Sequence, residues 1–297
     1  MQKKTIPYKL PILVISAIIT IGCGYQMYSL PLWGHLPLFF FVGLWTFIVI
    51  ALAERYSKLP KNFKYLSWAT ISGLLLGFGF PVSPLTPLMF VGFVPLLMIE
   101  KEIAESSTET SKWEVFKYVY HAFVVWNILS TYWVANAASF AASFIAIWLN
   151  SFFMAVPFVL FHQTRKVMPR NFSYMAFIVN WLAWEYLHLR WEISWPWLTL
   201  GNSFAQYPSW VQWYEYTGVF GGSLWILLAN LLIFRGIAAP FWQTKEKIQL
   251  KEGLKIGALI LLPVVLSLGI YFNQEDVGKE VEVVVVQPNY EPHYQKF

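Results

Sequence analysis

The chain has 297 residues, of which 57% are hydrophobic and only 12% are charged, and its formal net charge is +5. Soluble globular proteins carry about 25% charged residues, so this composition excludes a water-soluble domain. It also excludes disordered, collagen-like and coiled-coil chains, which need polar, repetitive or charge-rich sequence. The basic residues are scattered between apolar runs and form no single patch, so nucleic acid is not an expected partner. The sequence predicts an integral membrane protein.

Nine apolar runs are candidate transmembrane helices, because about 20 apolar residues cross the hydrocarbon core and shorter runs suffice where the bilayer thins. The runs are residues 10–30, 36–53, 66–80, 85–99, 118–134, 140–161, 174–188, 219–235 and 256–272. The predicted fold class is an all-α polytopic membrane protein with eight or nine transmembrane helices. Between the short third and fourth runs, Pro81, Pro84 and Pro87 cannot continue a helix and predict a turn or a re-entrant hairpin.

Lysine and arginine predict the orientation, since cytoplasmic loops are enriched in both. With a cytoplasmic N-terminus, 18 of the 21 basic residues fall inside, and only Arg190, Lys279 and Lys296 fall outside. The C-terminal segment is then extracytoplasmic.

An external loop at residues 189–217 is long and carries five tryptophans. Trp and Tyr favour the headgroup level of a membrane, where the ring is apolar and its N–H or O–H meets water. Two interpretations stay open: an aromatic belt that only anchors the protein, and a functional loop, which the length favours.

The tail contains a β-branched run, EVEVVVVQPN at residues 280–289, which is typical of a buried strand. A single strand cannot bury itself. We therefore expect this run to open an extracytoplasmic domain that continues beyond Phe297.

The sequence holds no complete catalytic motif: it lacks G-x-S-x-G, a zincin His–Glu pair and a glycine-rich phosphate loop. Cys23, the single cysteine, lies in an apolar run where a thiol is unreactive. No metal or other cofactor is expected. Glu185 and His188 share a helix face and could pair with each other or with Arg190, most simply as an interfacial ion pair in water. His121 is predicted to be a packing residue with satisfied hydrogen bonds.

Several short blocks occur in a distinctive order. A proline-containing hairpin at residues 76–95 is followed by the aromatic block TYWV at 131–134, then by WEY at 184–186 and WPWLTLGNS at 195–203, and finally by VVVVQPNYEPHYQK at 283–296. This series resembles the bacterial apolipoprotein N-acyltransferases, in which an E-F/Y…F-P-W-x-x-x-G-x-S segment precedes a nitrilase-like domain.

The resemblance covers about residues 66–297 and implies three regions. Residues 1–65 would form two N-terminal transmembrane helices, 66–275 the membrane domain with the loop 189–217, and 276–297 the start of a nitrilase-like domain. The implied location is the bacterial inner membrane, with the C-terminus in the periplasm.

The resemblance implies transfer of an acyl chain from a phospholipid to the N-terminal amine of a diacylglyceryl-cysteine lipoprotein. The implied partners are thus a phospholipid acyl donor, a diacylated lipoprotein acceptor and the membrane. In that family a Glu-Lys-Cys triad forms a thioester that the amine then displaces, which splits one difficult exchange into two easier steps. The triad is expected downstream of Phe297, so this chain alone is expected to be inactive.

No residue inherits a catalytic role, and only supporting, substrate-binding positions carry over. They are Tyr132, Trp133, Glu185, Trp197, Gly201 and Ser203.

Two alternatives to a single acyltransferase chain remain. One is a multispan permease or lipid-binding scaffold without catalysis, and the other is the membrane half of a split acyltransferase. The strand-like tail counts against the first, because a disordered stub would be polar and aperiodic.

Overall fold

The computed structural model describes residues 8–30, 32–56, 62–106, 112–244, 249–274, 278 and 281–288. Apolar runs form helices because a backbone in hydrocarbon must satisfy its hydrogen bonds within its own segment. The α-helices are α1 (Lys9–Ser29), α2 (Leu36–Tyr56), α3 (Asn62–Gly79), α4 (Val94–Ala104), α5 (Lys112–Thr131), α6 (Val134–Ala137), α7 (Phe140–Phe144), α8 (Asn150–Val167), α9 (Arg170–His188), α10 (Tyr214–Ile233), α11 (Ala239–Thr244) and α12 (Leu250–Asn273). Single π-helical turns join α7 to α8 and α10 to α11.

Five helical segments in this part of the chain are long and apolar enough to cross a membrane. They are Lys9–Ser29, Leu36–Ala53, Phe140–Val167, Tyr214–Trp242 and Leu250–Asn273. A membrane protein of the all-α class is thus what the structure shows, and the count of eight or nine spans stays a prediction.

The prediction of one continuous helix for the fourth run, residues 85–99, was wrong. A 3-10 helix, Thr86–Phe90, comes first, and α4 starts only at Val94. Proline stands near the start of each segment, as Pro87 and Pro95. Proline is tolerated in a first turn but lacks the N–H that a helix interior needs, so the run breaks into two pieces.

Aromatic rings fill the centre of the bundle. The ring of Phe93 lies 4.9 Å from Trp181 of α9, and Phe123 of α5 lies 5.6 Å from the same indole. Asn230 of α10 accepts a hydrogen bond from Phe93 N (2.8 Å) and donates one to Met89 O (2.7 Å). This amide satisfies the backbone where helix is interrupted, and it fixes the proline-containing hairpin on α10.

The α1–α2 pair joins the bundle through a second aromatic cluster. Phe41 stacks on Phe140 at 5.6 Å and meets Trp148 edge-on at 5.4 Å. Deeper along α2, Trp45 Nε1 donates to His121 Nδ1 (3.0 Å). His121 is buried and bonded through both ring nitrogens, which confirms the predicted packing role.

The predicted tail strand is not formed in the described part of the chain, which contains no β-strand. Residues 281–288 have exposed side chains and no paired neighbour among the described residues, and a strand needs a partner to be stable. Residues 289–297, and with them the end of the strand-and-loop block, lie outside the described residues. So do several basic residues used to predict the orientation, namely Lys3, Lys4, Lys58, Lys61, Lys245, Lys247, Lys279 and Lys296.

Candidate functional site

The loop 189–217, called here the aromatic loop, rests on the proline-containing hairpin. Thr86 Oγ1 donates to the carbonyl of Ser203 (3.0 Å), and Tyr207 donates its hydroxyl hydrogen to the carbonyl of Pro84 (2.9 Å). Two of the sequence blocks that carried the resemblance therefore form one surface at one end of the bundle.

Short 3-10 helices give the aromatic loop its compact path. They are Pro196–Leu198, Leu200–Phe204 and Pro208–Trp210. Proline begins the first and the third, where its fixed φ suits a helical turn and its missing N–H costs nothing. The loop is consequently an ordered element rather than a simple connector.

Glu185 anchors this loop from beneath. Its carboxylate is buried, and Oε1 accepts hydrogen bonds from Trp181 Nε1 (3.0 Å) and from the backbone N–H of Leu200 (2.8 Å). The predicted ion pair with His188 or Arg190 was wrong, since Arg190 instead lies over the ring of Tyr186 at 4.7 Å. The i to i+3 spacing placed two residues on one face, but the loop folds back and supplies the stronger partner.

His188 starts a buried chain of hydrogen bonds that links the aromatic loop to α5. Its Nδ1 accepts from the indole N–H of Trp191 (2.9 Å), so the neutral ring carries its proton on Nε2 and donates to Asn150 Oδ1 (2.9 Å). Asn150 Nδ2 donates to Asn127 Oδ1 (2.8 Å), and Asn127 Nδ2 to the carbonyl of Phe123 (2.8 Å). No sequence signal predicted this chain, because its members are spread over three helices.

Gly201 lies at the closest contact between the aromatic loop and α10. A Cβ at this position would lie 2.0 Å from the carbonyl oxygen of Val219. The N–H of Gly201 donates to Ser223 Oγ (3.0 Å), and its carbonyl accepts from the hydroxyl of Tyr214 (2.9 Å). Only glycine allows this approach of two backbones.

A tryptophan cluster, consisting of Trp133, Trp195 and Trp197, covers the outer side of this framework. Trp133 stacks on Trp195 at 6.5 Å and meets Trp197 edge-on at 5.7 Å. Trp197 is 55% exposed and Trp133 37% exposed. The structure thus brings two of the six predicted positions to a common surface.

The other four positions lie behind or beside the cluster. Glu185, Gly201 and Ser203 are buried, and the Ser203 hydroxyl has no hydrogen-bond partner among the described residues. Tyr132 is half-buried, and its hydroxyl lies 2.7 Å from His35 Nδ1 in the turn between α1 and α2.

The surface offers aromatic faces, but none of its three members is an acid, a base or a nucleophile. Aromatic side chains of this kind hold acyl chains and headgroups at the membrane boundary. The arrangement can position a lipid, and chemistry on that lipid needs groups from elsewhere.

These features define a polytopic membrane protein with an aromatic loop that is hydrogen-bonded to one end of its bundle. Residues 72–232 match the family model of the apolipoprotein N-acyltransferase N-terminal domain, and the chain belongs to that family.

Curated relatives agree with this assignment. The chain is 29% identical over 230 residues to the apolipoprotein N-acyltransferase of Chlorobaculum tepidum, covering 75% of this chain and 41% of that one. It is 25% identical over 244 residues to the enzyme of Geobacter metallireducens, covering 79% and 44%. It is 24% identical over 233 residues to apolipoprotein N-acyltransferase 2 of Treponema denticola, covering 75% and 43%. The matches thus span about two-fifths of the relatives' length, and no solved structure matches.

Proposed function

We propose that the protein is the membrane part of an enzyme that transfers an acyl chain from a phospholipid to the N-terminal amine of a diacylated lipoprotein. Family membership supports acyl transfer in general, and the names of the relatives support a lipoprotein as the acceptor. The observation that carries the proposal is the exposed Trp197, held on a loop that Glu185 and Gly201 fix to the bundle.

In this proposal the six predicted positions form one substrate-binding region. Trp133 and Trp197 contact the lipid through their exposed rings. Glu185 and Gly201 hold the loop beneath them, while Tyr132 and Ser203 support its edges. Fixing the loop in advance lowers the entropy cost of placing a flexible acyl chain.

The proposal assigns the reacting groups to a Glu-Lys-Cys triad outside these 297 residues, in a nitrilase-like domain. The relatives extend well beyond the matched segment, which is compatible with such a domain. It also assigns the aromatic loop to the periplasmic side of the inner membrane, because the basic residues predict that orientation.

The test is an acyl-transfer assay with the complete native gene product in its own membranes. The donor is a phospholipid with a labelled acyl chain, and the acceptor is a synthetic diacylated lipopeptide. Trp197→Ala is expected to reduce both formation of the acyl-enzyme and transfer to the lipopeptide. Trp242→Ala removes an indole of similar exposure (44%) on α11, outside the proposed site, and serves as the matched control.

Two outcomes would contradict different parts of the proposal. Full activity in Trp197→Ala would remove the substrate-binding role of the aromatic loop. Absence of any lipopeptide acylation by the unaltered gene product would overturn the acyltransferase proposal itself.

A further inference from the structure

An apolar groove runs along α2, with α3 and α5 as its other walls. Two adjoining cavities of about 550 and 420 Å³ form it, and both are lined by Trp45, Val49 and Leu66. Pockets that bind small molecules typically measure about 300–1,000 Å³. The groove is therefore large enough for a ligand.

The length of the groove matches one leaflet of a bilayer. Its lining extends over residues 42–53 of α2 and 63–74 of α3, while α5 contributes residues between 113 and 129. At a rise of about 1.5 Å per residue, the stretches on α2 and α3 are each about 16 Å long. The hydrocarbon core of a bilayer is about 30 Å thick, so the groove has the depth of one leaflet.

The walls favour hydrocarbon over a polar ligand. The buried His121 accepts from Trp45 Nε1 (3.0 Å) and shares a hydrogen bond of 2.8 Å with Thr70 Oγ1, whose own hydrogen goes to the carbonyl of Leu66 (2.9 Å). Both ring nitrogens are thereby used within the protein. A polar ligand would lose its hydrogen bonds to water and would not regain them at His121. An acyl chain only exchanges one apolar environment, the bilayer, for another.

Among the described residues that line the groove, the charged groups stand at one end. Lys117 and Glu114 line it there and form an ion pair of 2.7 Å, each with about a quarter of its side chain exposed. Beside them Trp113 is 61% exposed, as expected for an indole at headgroup level. The groove is thus apolar along its length and carries an ammonium and a carboxylate at one end. A zwitterionic phospholipid has the same arrangement, with apolar acyl chains and a charged headgroup at one end.

We propose that the groove holds one acyl chain of a phospholipid, with the lipid phosphate beside Lys117. Residues 112–131 form one helix, so Lys117 lies toward the opposite end of α5 from Trp133, and this lipid is not at the tryptophan cluster. In the predicted orientation it belongs to the cytoplasmic leaflet. The α2 wall lies outside the family-matched residues 72–232, whereas the α5 wall lies inside them. The proposal does not depend on acyl transfer.

The test uses the complete native protein in liposomes of phosphatidylethanolamine and phosphatidylglycerol. A trace of phosphatidylethanolamine with a diazirine on its acyl chain is activated by light, and adducts are mapped by mass spectrometry. Adducts on residues 42–53 and 113–121 are expected to exceed those on the exposed face of α12 at Leu261, Leu262 and Val265. Equal labelling of both surfaces would identify ordinary boundary lipid and overturn the proposal.

Three variants test whether the adducts come from a lipid bound in the groove. Val49→Trp fills the groove and is expected to reduce its adducts to the level of α12. Val265→Trp makes the same change on an exposed face and is expected to leave the groove adducts unchanged. Lys117→Gln is expected to reduce the phospholipid adducts and to spare those of an uncharged diazirine hydrocarbon.

Groove adducts that persist in Val49→Trp would contradict the site, and cross-links between two protein copies at residues 42–53 would identify a protein occupant instead. If Val49→Trp does not fold, the ratio of groove to α12 adducts in the unaltered protein decides alone.

Discussion

The backbone N–H of Leu200 donates a hydrogen bond of 2.8 Å to the carboxylate of Glu185, 15 positions earlier in the chain. The same Oε1 accepts from the indole N–H of Trp181 (3.0 Å), so one buried oxygen joins the end of α9, the core and the aromatic loop. Both an ionised and a neutral carboxyl group can accept these hydrogen bonds. The attachment of the aromatic loop therefore depends on an acceptor oxygen at this position.

Glu185→Leu is expected to loosen the aromatic loop more than Glu185→Gln. Leucine leaves the Leu200 N–H and the Trp181 indole without an acceptor, at a cost of about 1–3 kcal/mol for each buried group. Glutamine keeps an acceptor oxygen in the same place. The melting temperature in detergent measures the stability of the protein. The rate of proteolysis within residues 189–217 measures how firmly the aromatic loop is held. Equal behaviour of the two variants would show that the hydrogen bonds do not hold it.

Gly201→Ala is expected to displace the aromatic loop from α10. The new Cβ would lie 2.0 Å from the carbonyl oxygen of Val219, and backbone on both sides cannot move far. Overpacking of this kind typically costs about 1–3 kcal/mol. Gly257→Ala on α12 is the matched control, because a Cβ there has no atom within 4 Å and alanine favours helix. Lower melting temperature in Gly201→Ala alone checks the prediction, and unchanged stability there would contradict the close packing.

Asn150→Leu is expected to break the chain of hydrogen bonds between the aromatic loop and α5. It leaves His188 Nε2 without its acceptor and Asn127 Oδ1 without its donor, at a site where all three side chains are buried. Two unsatisfied buried groups correspond to about 2–6 kcal/mol. Ser151→Ala next to it removes only a bond to Ile147 in the preceding turn and should cost far less. Similar melting temperatures for the two variants would argue against a connected chain.

The positions of most helices could be predicted from the sequence, since apolar runs in a membrane have few alternatives to helix. The run at residues 219–235 even begins directly after Gly218, whose φ of +63° interrupts α10. The interrupted run at 85–99 could not be placed, because hydropathy alone does not say which prolines start a helix and which end one.

The sequence singled out six residues whose substrate-binding role stays a prediction, and it did not indicate how they are arranged. Trp197 and Trp133 were singled out by short blocks, but their common surface depends on a loop path that local spacing does not encode. Glu185 was expected to pair with a neighbour three positions away, whereas its partners are Trp181 and a backbone N–H from the returning loop. The tail shows the same limit. Its β-branched sequence predicted a strand, but residues 281–288 form none, because a strand is stable only beside a paired neighbour.

The buried ion cluster at the opposite end of the bundle gives the sharpest stability prediction. Glu100 of α4 is fully buried and bonds His162 Nδ1 (2.8 Å) and the guanidinium of Arg165, both on α8. Residues 62 and 65 positions apart meet here, which no periodicity in the sequence indicates. Removing one member of a buried ion pair costs about 3–5 kcal/mol, because its partner is left as an uncompensated charge.

Glu100→Gln is therefore expected to lower the melting temperature strongly, while Glu252→Gln, which breaks the exposed pair with Lys255, should cost about 0–1 kcal/mol. The double variant Glu100→Gln with Arg165→Met also removes the guanidinium that is left without its carboxylate. It should recover part of the lost stability. A double variant that is additive, with no recovery, would show that the Glu100 effect comes from packing and not from the unpaired charge. Because Arg165 also lies over the ring of Tyr174 at 4.9 Å, Arg165→Met alone sets the baseline for the contact that methionine cannot replace.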